Sequence, residues 1–152
     1  QYMNILVIRL PILFGLTQKN QIIDRLVSRL LRGKKIKASS DILSTPTYNM
    51  DVVNFILNLI DQNKYDFFVK RCDATIHLSS EVYISLLNFM KIIGKKMKKN
   101  KLIKSAKESD FNSTFIKPQY LGLKSIYQRD IRRLHKFSLK SKIDEYIKQL
   151  ND

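Results

Sequence analysis

Asn4-Ile5-Leu6-Val7-Ile8-Arg9-Leu10-Pro11-Ile12-Leu13-Phe14-Gly15 is the stretch on which the fold turns. Its aliphatic run, Ile5 to Ile8, includes β-branched residues and is stopped by Pro11 and Gly15. Such a run predicts a strand buried on both faces, and strands of that kind belong to parallel sheets covered by helices. In open parallel sheets the ligand sits just beyond the carboxyl ends of the strands. Leu10 to Gly15 is therefore where a bound molecule is expected to be touched. The same residues also fit a plain buried strand with a tight exit turn.

Helices follow on the carboxyl side. From Asn20 to Arg32, the residues Ile22, Ile23, Leu26, Val27, Leu30 and Leu31 recur at helical spacing and predict a wide apolar stripe. Gly33 follows and suits the left-handed conformation that ends a helix. Lys34 to Ser40 predicts a short basic edge strand around Ile36 and Ala38. Ser44-Thr45-Pro46-Thr47-Tyr48 comes next, with Pro46 pushing Thr45 toward extended geometry. A second helix is expected from Asn49 or Met50 to about Asp61, with Val52, Val53, Phe55, Ile56, Leu59 and Ile60 as its stripe. Asp51 falls in its first turn, where exposed N–H groups favour a carboxylate, and is expected to act as a cap.

Further on, Asn63 to Asp73 is expected to be a polar loop with an aromatic patch. Ala74 to Ser79 predicts another strand. Ser85 is placed to cap a third helix with Leu86, Phe89, Met90, Ile93 and Met97 on one face. Gly94 inside it costs about 1 kcal/mol relative to alanine. Lys101 to Ala106 is a short strand candidate, and Phe111 to Tyr127 is expected to be irregular around Pro118 and Gly122. Ser138 is expected to cap a last helix to Leu150.

The whole chain bounds the functional classes. At 152 residues one domain with a real core is expected, and the 44% hydrophobic content fits a globular protein. A lone cysteine, Cys72, forms no internal disulfide, which points to a reducing, cytoplasmic setting. No apolar run is long enough to span a bilayer. The opening residues lack the features of a signal peptide, and strand character so close to Gln1 suggests a chain taken up in mid-fold. The net charge of +15 is mostly lysine and reads as a solvated surface. Sequence-specific nucleic-acid binding is not expected.

Chemistry-bearing motifs are few. His77, His135 and Cys72 have no metal-ligand spacing. His77 is expected to be buried or half-buried in its strand. With four glycines there is no glycine-rich phosphate loop. No catalytic residue and no metal site is assigned.

The order of these pieces resembles the carboxyl-terminal half of the extended short-chain dehydrogenases, in the dTDP-4-dehydrorhamnose reductase branch. The resemblance rests on Arg9-Leu10-Pro11-Ile12-Leu13-Phe14-Gly15, on Ser44 to Tyr48 leading into Asp51-Val52-Val53, and on Ile76-His77-Leu78-Ser79-Ser80 before a capped helix. The tail departs from it at Ile116-Lys117-Pro118 and Leu123-Lys124. The resemblance implies an α/β chain: the C-terminal part of a Rossmann-like NAD(P)-binding fold with a small mixed α/β substrate-binding lobe. It makes residues 1–152 a single substrate-binding region, with the cofactor-binding half lying upstream. It implies reduction of a nucleotide-activated 4-keto-sugar by NADPH or NADH, the cofactor being held mainly by that other half. Carried over residue by residue, Leu10 and Pro11 border the nicotinamide. Ile12 stands where the reductases often place a substrate-facing tryptophan, and Thr47 belongs to the substrate side. The glycine-rich turn and the Tyr-x-x-x-Lys pair of the family are not in this chain. Tyr120 and Lys124 have the bare spacing, by chance and in the wrong order. The implied partners are a nucleotide-sugar, a complementary N-terminal half or a second copy, and neither nucleic acid nor membrane. A non-catalytic relative such as the methionine adenosyltransferase regulatory beta subunit is also similar, as are the sugar-nucleotide epimerases and dehydratases.

Overall fold

The computed structural model describes residues 5–16, 21–71, 74–112 and 117–150. Cys72 and Ile116 lie outside them, as does Asn20, the expected start of the first helix. The chain is α/β, as its alternation of runs predicts. The strands are β1 (Val7–Arg9), β2 (Leu13–Phe14), β3 (Ile36–Ser39), β4 (Leu43–Ser44), β5 (Thr47–Tyr48), β6 (Thr75–His77), β7 (Ile84–Ser85) and β8 (Ile103–Ala106). The helices are α1 (Ile22–Leu31), α2 (Asn49–Asp61), α3 (Tyr65–Arg71), α4 (Leu86–Lys96), α5 (Gln128–Leu134) and α6 (Leu139–Gln149). β1 pairs with β6, β2 with β5 and β3 with β8, all parallel; β4 and β7 are antiparallel. No helix among the described residues is long and apolar enough to cross a membrane.

Two apolar clusters divide the molecule. One packs α2, α3 and α5 against the β1–β6 pair through Phe55, Phe68, Ile76 and Ile131. The other joins α1, β3, α4 and α6 through Ile23, Leu30, Ile93 and Ile143. Phe14 belongs to the second cluster and is fully buried, its ring centroid 5.4 Å from that of Tyr48, 5.2 Å from Phe89 and 5.8 Å from Tyr146. The segment from β1 to β2 thus leaves one cluster and enters the other, with Leu10, Pro11 and Ile12 as its bridge.

Several expectations hold. Gly33 takes φ 71° and ends α1. The Ser85 hydroxyl accepts from the Asn88 amide at 3.2 Å, capping α4. His77 is half-buried, its Nδ1 3.2 Å from the Lys124 carbonyl oxygen.

Others are corrected. β1 is not buried on both faces: Val7 is 46% exposed, because β6 is its only strand partner among the described residues and nothing among them covers that side. The α2 stripe is narrower than its apolar residues suggest. Val52, Phe55 and Leu59 are buried, while Val53, Ile56 and Ile60 face outward. Residues 65–71 form α3 instead of a loop; the aromatic patch folds because Phe68 docks on Phe55 with centroids 5.9 Å apart. Ser138 precedes α6 without a side-chain cap. Asp51 is no cap either. Its carboxylate is 2% exposed and lies 2.9 Å from His135 Nε2 and 3.6 Å from Lys142 Nζ, tying α2 to the end of α5 and to α6. Lys142 also donates to Glu145 at 2.7 Å; that bond, with Asp51 behind it, raises the lysine's pKa. Gly94 is buried where α4 meets β8, and a methyl group there would collide with Ile103. Its cost in helix propensity is offset by close packing.

Two buried phenols set an alkaline limit. Burial first, and the Asp24 carboxylate that accepts from Tyr146 at 3.0 Å second, keep the Tyr146 phenol protonated far above its usual range. Burial, then Glu145, raises Tyr48. Both folded-state pKa values lie above the unfolded one, so their stabilising share is whole below about pH 10 and falls as pH rises past it. Urea unfolding between neutrality and strongly alkaline pH is expected to show a falling midpoint only above about pH 10. A midpoint unmoved there would contradict the burial of these phenols.

Candidate functional site

Just past β1 the chain opens onto a cavity of about 420 Å³. Ile12 is in its wall, as are Leu26 of α1, Pro46 between β4 and β5, Ile84, Leu86 and Phe111. The wall is mostly apolar, with Ser39, Ser44, Lys37, Glu108 and Lys117 supplying the polar groups. Its size falls in the range of small-ligand pockets, about 300–1,000 Å³. Leu26 and Ile22 belong to the α1 stripe, yet both are incompletely buried because they face this space.

Main-chain bonds and hydroxyls shape the wall. The Thr47 amide donates to the Ile12 carbonyl at 3.0 Å, which fixes Ile12 beside Pro46. Thr47 itself is fully buried. Its hydroxyl donates to the Thr45 carbonyl at 2.9 Å and accepts from the Ser80 amide at 3.0 Å. The Thr45 hydroxyl accepts from the Leu123 amide at 3.0 Å, and the Ser79 hydroxyl donates to the Leu123 carbonyl at 2.7 Å. These bonds hold residues 121–123 against the cavity, where Leu121 joins the wall. Each buried hydroxyl is satisfied, as burial of polar groups requires. Glu108 and Lys117 pair at 2.5 Å at the rim.

Ile12 and Thr47 are thus brought together, Ile12 at the cavity surface and Thr47 beneath it. Leu10 and Pro11 lie outside this wall; Leu10 is 37% exposed and Pro11 half-buried. The turn after β2 depends on Gly15, whose φ of 138° suits no L side chain and whose Cβ would strike Asn49. Ile84, Leu86 and Phe111 escape sequence reasoning as wall residues, since an apolar side chain facing a cavity carries the same signal as one facing the core.

A model of the RmlD substrate binding domain family matches residues 1–151. The chain belongs to that family. Solved structures agree. The dTDP-4-dehydrorhamnose reductase of Yersinia enterocolitica is 27% identical, with a TM-score of 0.76 over 93% of this chain and 48% of that one. The dTDP-4-dehydrorhamnose reductase of Bacillus anthracis, solved with NADP, is 18% identical, with a TM-score of 0.77 over 95% and 48%. The UDP-glucuronic acid 4-epimerase of Bacillus cereus, solved with UDP-glucuronic acid and NAD, is 17% identical, with a TM-score of 0.70 over 97% and 46%. At these identities the last two show the fold alone. The chain spans about half the length of the structures it matches. No curated protein sequence matches it.

Proposed function

We propose that this RmlD substrate-binding domain supplies the sugar-nucleotide half of a cytoplasmic NAD(P)H-dependent enzyme that reduces a nucleotide-activated 4-keto-sugar. The observation that carries the reading is the ligand-sized cavity beyond the end of β1, walled by Ile12, in a chain matched to this family along its length. Position agrees with chemistry, since parallel strands present ligands at their carboxyl ends. In this reading residues 1–152 act as one substrate-binding region. Ile12 faces the sugar. Thr47 serves the substrate side by holding Ile12 and the Thr45–Pro46 wall in place.

NADPH or NADH supplies the hydride when bound. The fit of this chain to that cofactor is one-sided. Leu10 and Pro11 offer a partly exposed apolar edge suited to the nicotinamide, but no glycine-rich turn approaches a dinucleotide. The exposed apolar side chains of Val7 on β1 and of Val53 and Ile60 on α2 support a protein partner, a complementary half or a second copy.

Ile12→Glu tests the pocket. The residue is half-buried and borders open space, so the new carboxylate keeps much of its water and the melting temperature should drop only slightly. Affinity for a dTDP-sugar, measured by calorimetry, is expected to weaken at least about tenfold, which is about 1.4 kcal/mol. Collapse of the fold would make Ile12 core, and unchanged affinity in a folded variant would take Ile12 out of the binding site; either removes the pocket assignment.

A further inference from the structure

The C-terminal ends of α1, α4 and α6 meet around a depression of about 250 Å³ that shares no lining residue with the cavity beyond β1. Leu31, Met97 and Ile147 give it an apolar lining, with Lys96, Lys98 and Lys99 around them. Lys96 pairs with Asp144 of α6. The Lys99 ammonium donates to the Leu31 carbonyl at 2.9 Å and so closes the turn after α4 onto the end of α1, where Arg32 and Lys34 follow. β3 and β8 lie in parallel register, Ile36 beside Ile103 and Lys37 beside Lys104, so Lys34 and Lys101 precede neighbouring strands at the same end. Arg32, Lys34, Lys98 and Lys101 are all exposed, and among the described residues none of the four forms an ion pair. Each helix C-terminus is equivalent to about half a negative charge, so the dipoles answer for fewer cations than stand here.

The turn after α4 carries a second sign. α1, α2 and α4 all end in the same pair of main-chain bonds; in α4 the Lys98 amide donates to the Lys95 carbonyl at 3.2 Å and the Lys99 amide to the Gly94 carbonyl at 2.7 Å. The left-handed position of that motif is held by Gly33 in α1, by Asn63 in α2 and by Lys98 in α4, at φ 71°, 50° and 57°. Glycine and asparagine tolerate this conformation, whereas a lysine is strained in it. Strain kept at a charged side chain points to a use for the charge.

We propose that this end of the molecule docks an acidic segment of a partner protein, which places one large aliphatic side chain in the depression and its carboxylates against Arg32, Lys34, Lys98 and Lys101. The inference stands apart from the function proposed above. The depression is smaller than the pockets that bury whole small ligands, about 300–1,000 Å³, and suits a single inserted side chain. An apolar anchor in a recess with charges around it is the usual form of a protein hot spot. None of its lining residues is aromatic, so it has no platform for stacking a nucleic-acid base. Its apolar groups line a hollow, whereas binding to a lipid surface needs them on a raised face. One exposed ion pair contributes little, so the carboxylates act as a group and the apolar anchor adds the selectivity.

The test is fluorescence anisotropy on the full chain with a labelled peptide of glutamates flanking a single leucine. The same peptide with alanine for leucine, a thymidine oligonucleotide and phosphatidylglycerol vesicles serve as separate probes. The wild type is expected to bind the leucine peptide at least about tenfold more tightly than the alanine peptide. In a Lys98→Gly/Lys101→Gln variant the leucine peptide should bind at least about tenfold more weakly, while the melting temperature holds or rises because glycine relieves the strain at position 98. A Lys136→Gln/Lys140→Gln variant, altered at two exposed positions near the other end of α6, should bind as the wild type does. If that control loses as much, the attraction belongs to the general charge of +15 and the docking site is overturned. Equal binding of the leucine and alanine peptides overturns it, since the depression then takes no side chain. Tighter binding of the oligonucleotide or the vesicles, lost in Lys98→Gly/Lys101→Gln, overturns the assignment to a protein partner. No binding of the leucine peptide overturns the proposal as a whole.

Discussion

Phe14→Ala is expected to lower the unfolding free energy by about 3–5 kcal/mol. The ring is fully buried and meets Tyr48, Phe89 and Tyr146 at once, so its removal takes contacts from β5, α4 and α6 together. Close packing leaves those elements little room to collapse into the gap. A domain of this size has a total stability of about 5–15 kcal/mol, so much of the margin goes with one side chain. The cavity should suffer too. Phe14 anchors β2, and β2 holds Ile12 in the wall two residues upstream. Urea unfolding followed by circular dichroism measures the change. A loss below about 1 kcal/mol would mean that the aromatic cluster is looser than these contacts imply.

By itself this 152-residue chain is expected to transfer no hydride. Ketone reduction needs a proton donor within hydrogen-bond reach of the carbonyl oxygen, at a pKa suited to the working pH. It also needs a dinucleotide held in register, usually by close backbone approach and a helix N-terminus. The only Tyr-x-x-x-Lys spacing is Tyr120 and Lys124. That spacing puts two side chains on one face only in a helix, and residues 120–124 are not helical. Tyr120 is instead 63% exposed. Enzymes of ordinary power accelerate their reactions at least about 10⁶-fold, so the difference is all or none. NADPH oxidation followed by absorbance, with a dTDP-4-keto-sugar supplied, is expected to stay at background. Turnover above it would require a proton donor among residues given no such role above.

Much of this architecture is legible in the amino-acid order, for reasons that differ by element. α1 announces itself because Ile23, Val27 and Leu30 repeat at helical spacing and Gly33 ends the pattern. Ile36 and Ala38 mark β3 because their side chains alternate inward. α3 hides because seven residues with three aromatics carry too short a period to separate helix from loop. α2 misleads in the opposite sense. Its apolar residues cover more of the helix than the core does, so periodicity cannot tell inner Phe55 from outer Ile60. In the candidate site, Ile12 is legible from its place after a strand. The partnership of Asp51 with His135 spans 84 residues, and the facing of Lys37 and Lys104 exists only through strand pairing. Neither leaves a local mark.

The hydroxyls of Thr45 and Ser79 grip the loop at Leu123 by its amide and its carbonyl, not by its side chain. A wall held by its main chain is indifferent to what the wall presents. Leu121, 41% exposed and facing the cavity, can be exchanged for side chains of other size or polarity while the loop keeps its path. If the cavity holds the proposed ligand, its preference and the fold are thereby written in separate residues. In the proposed reading the preference can drift through position 121 at little cost to the fold, whereas a proline at position 123 would remove the amide that Thr45 holds and loosen the wall.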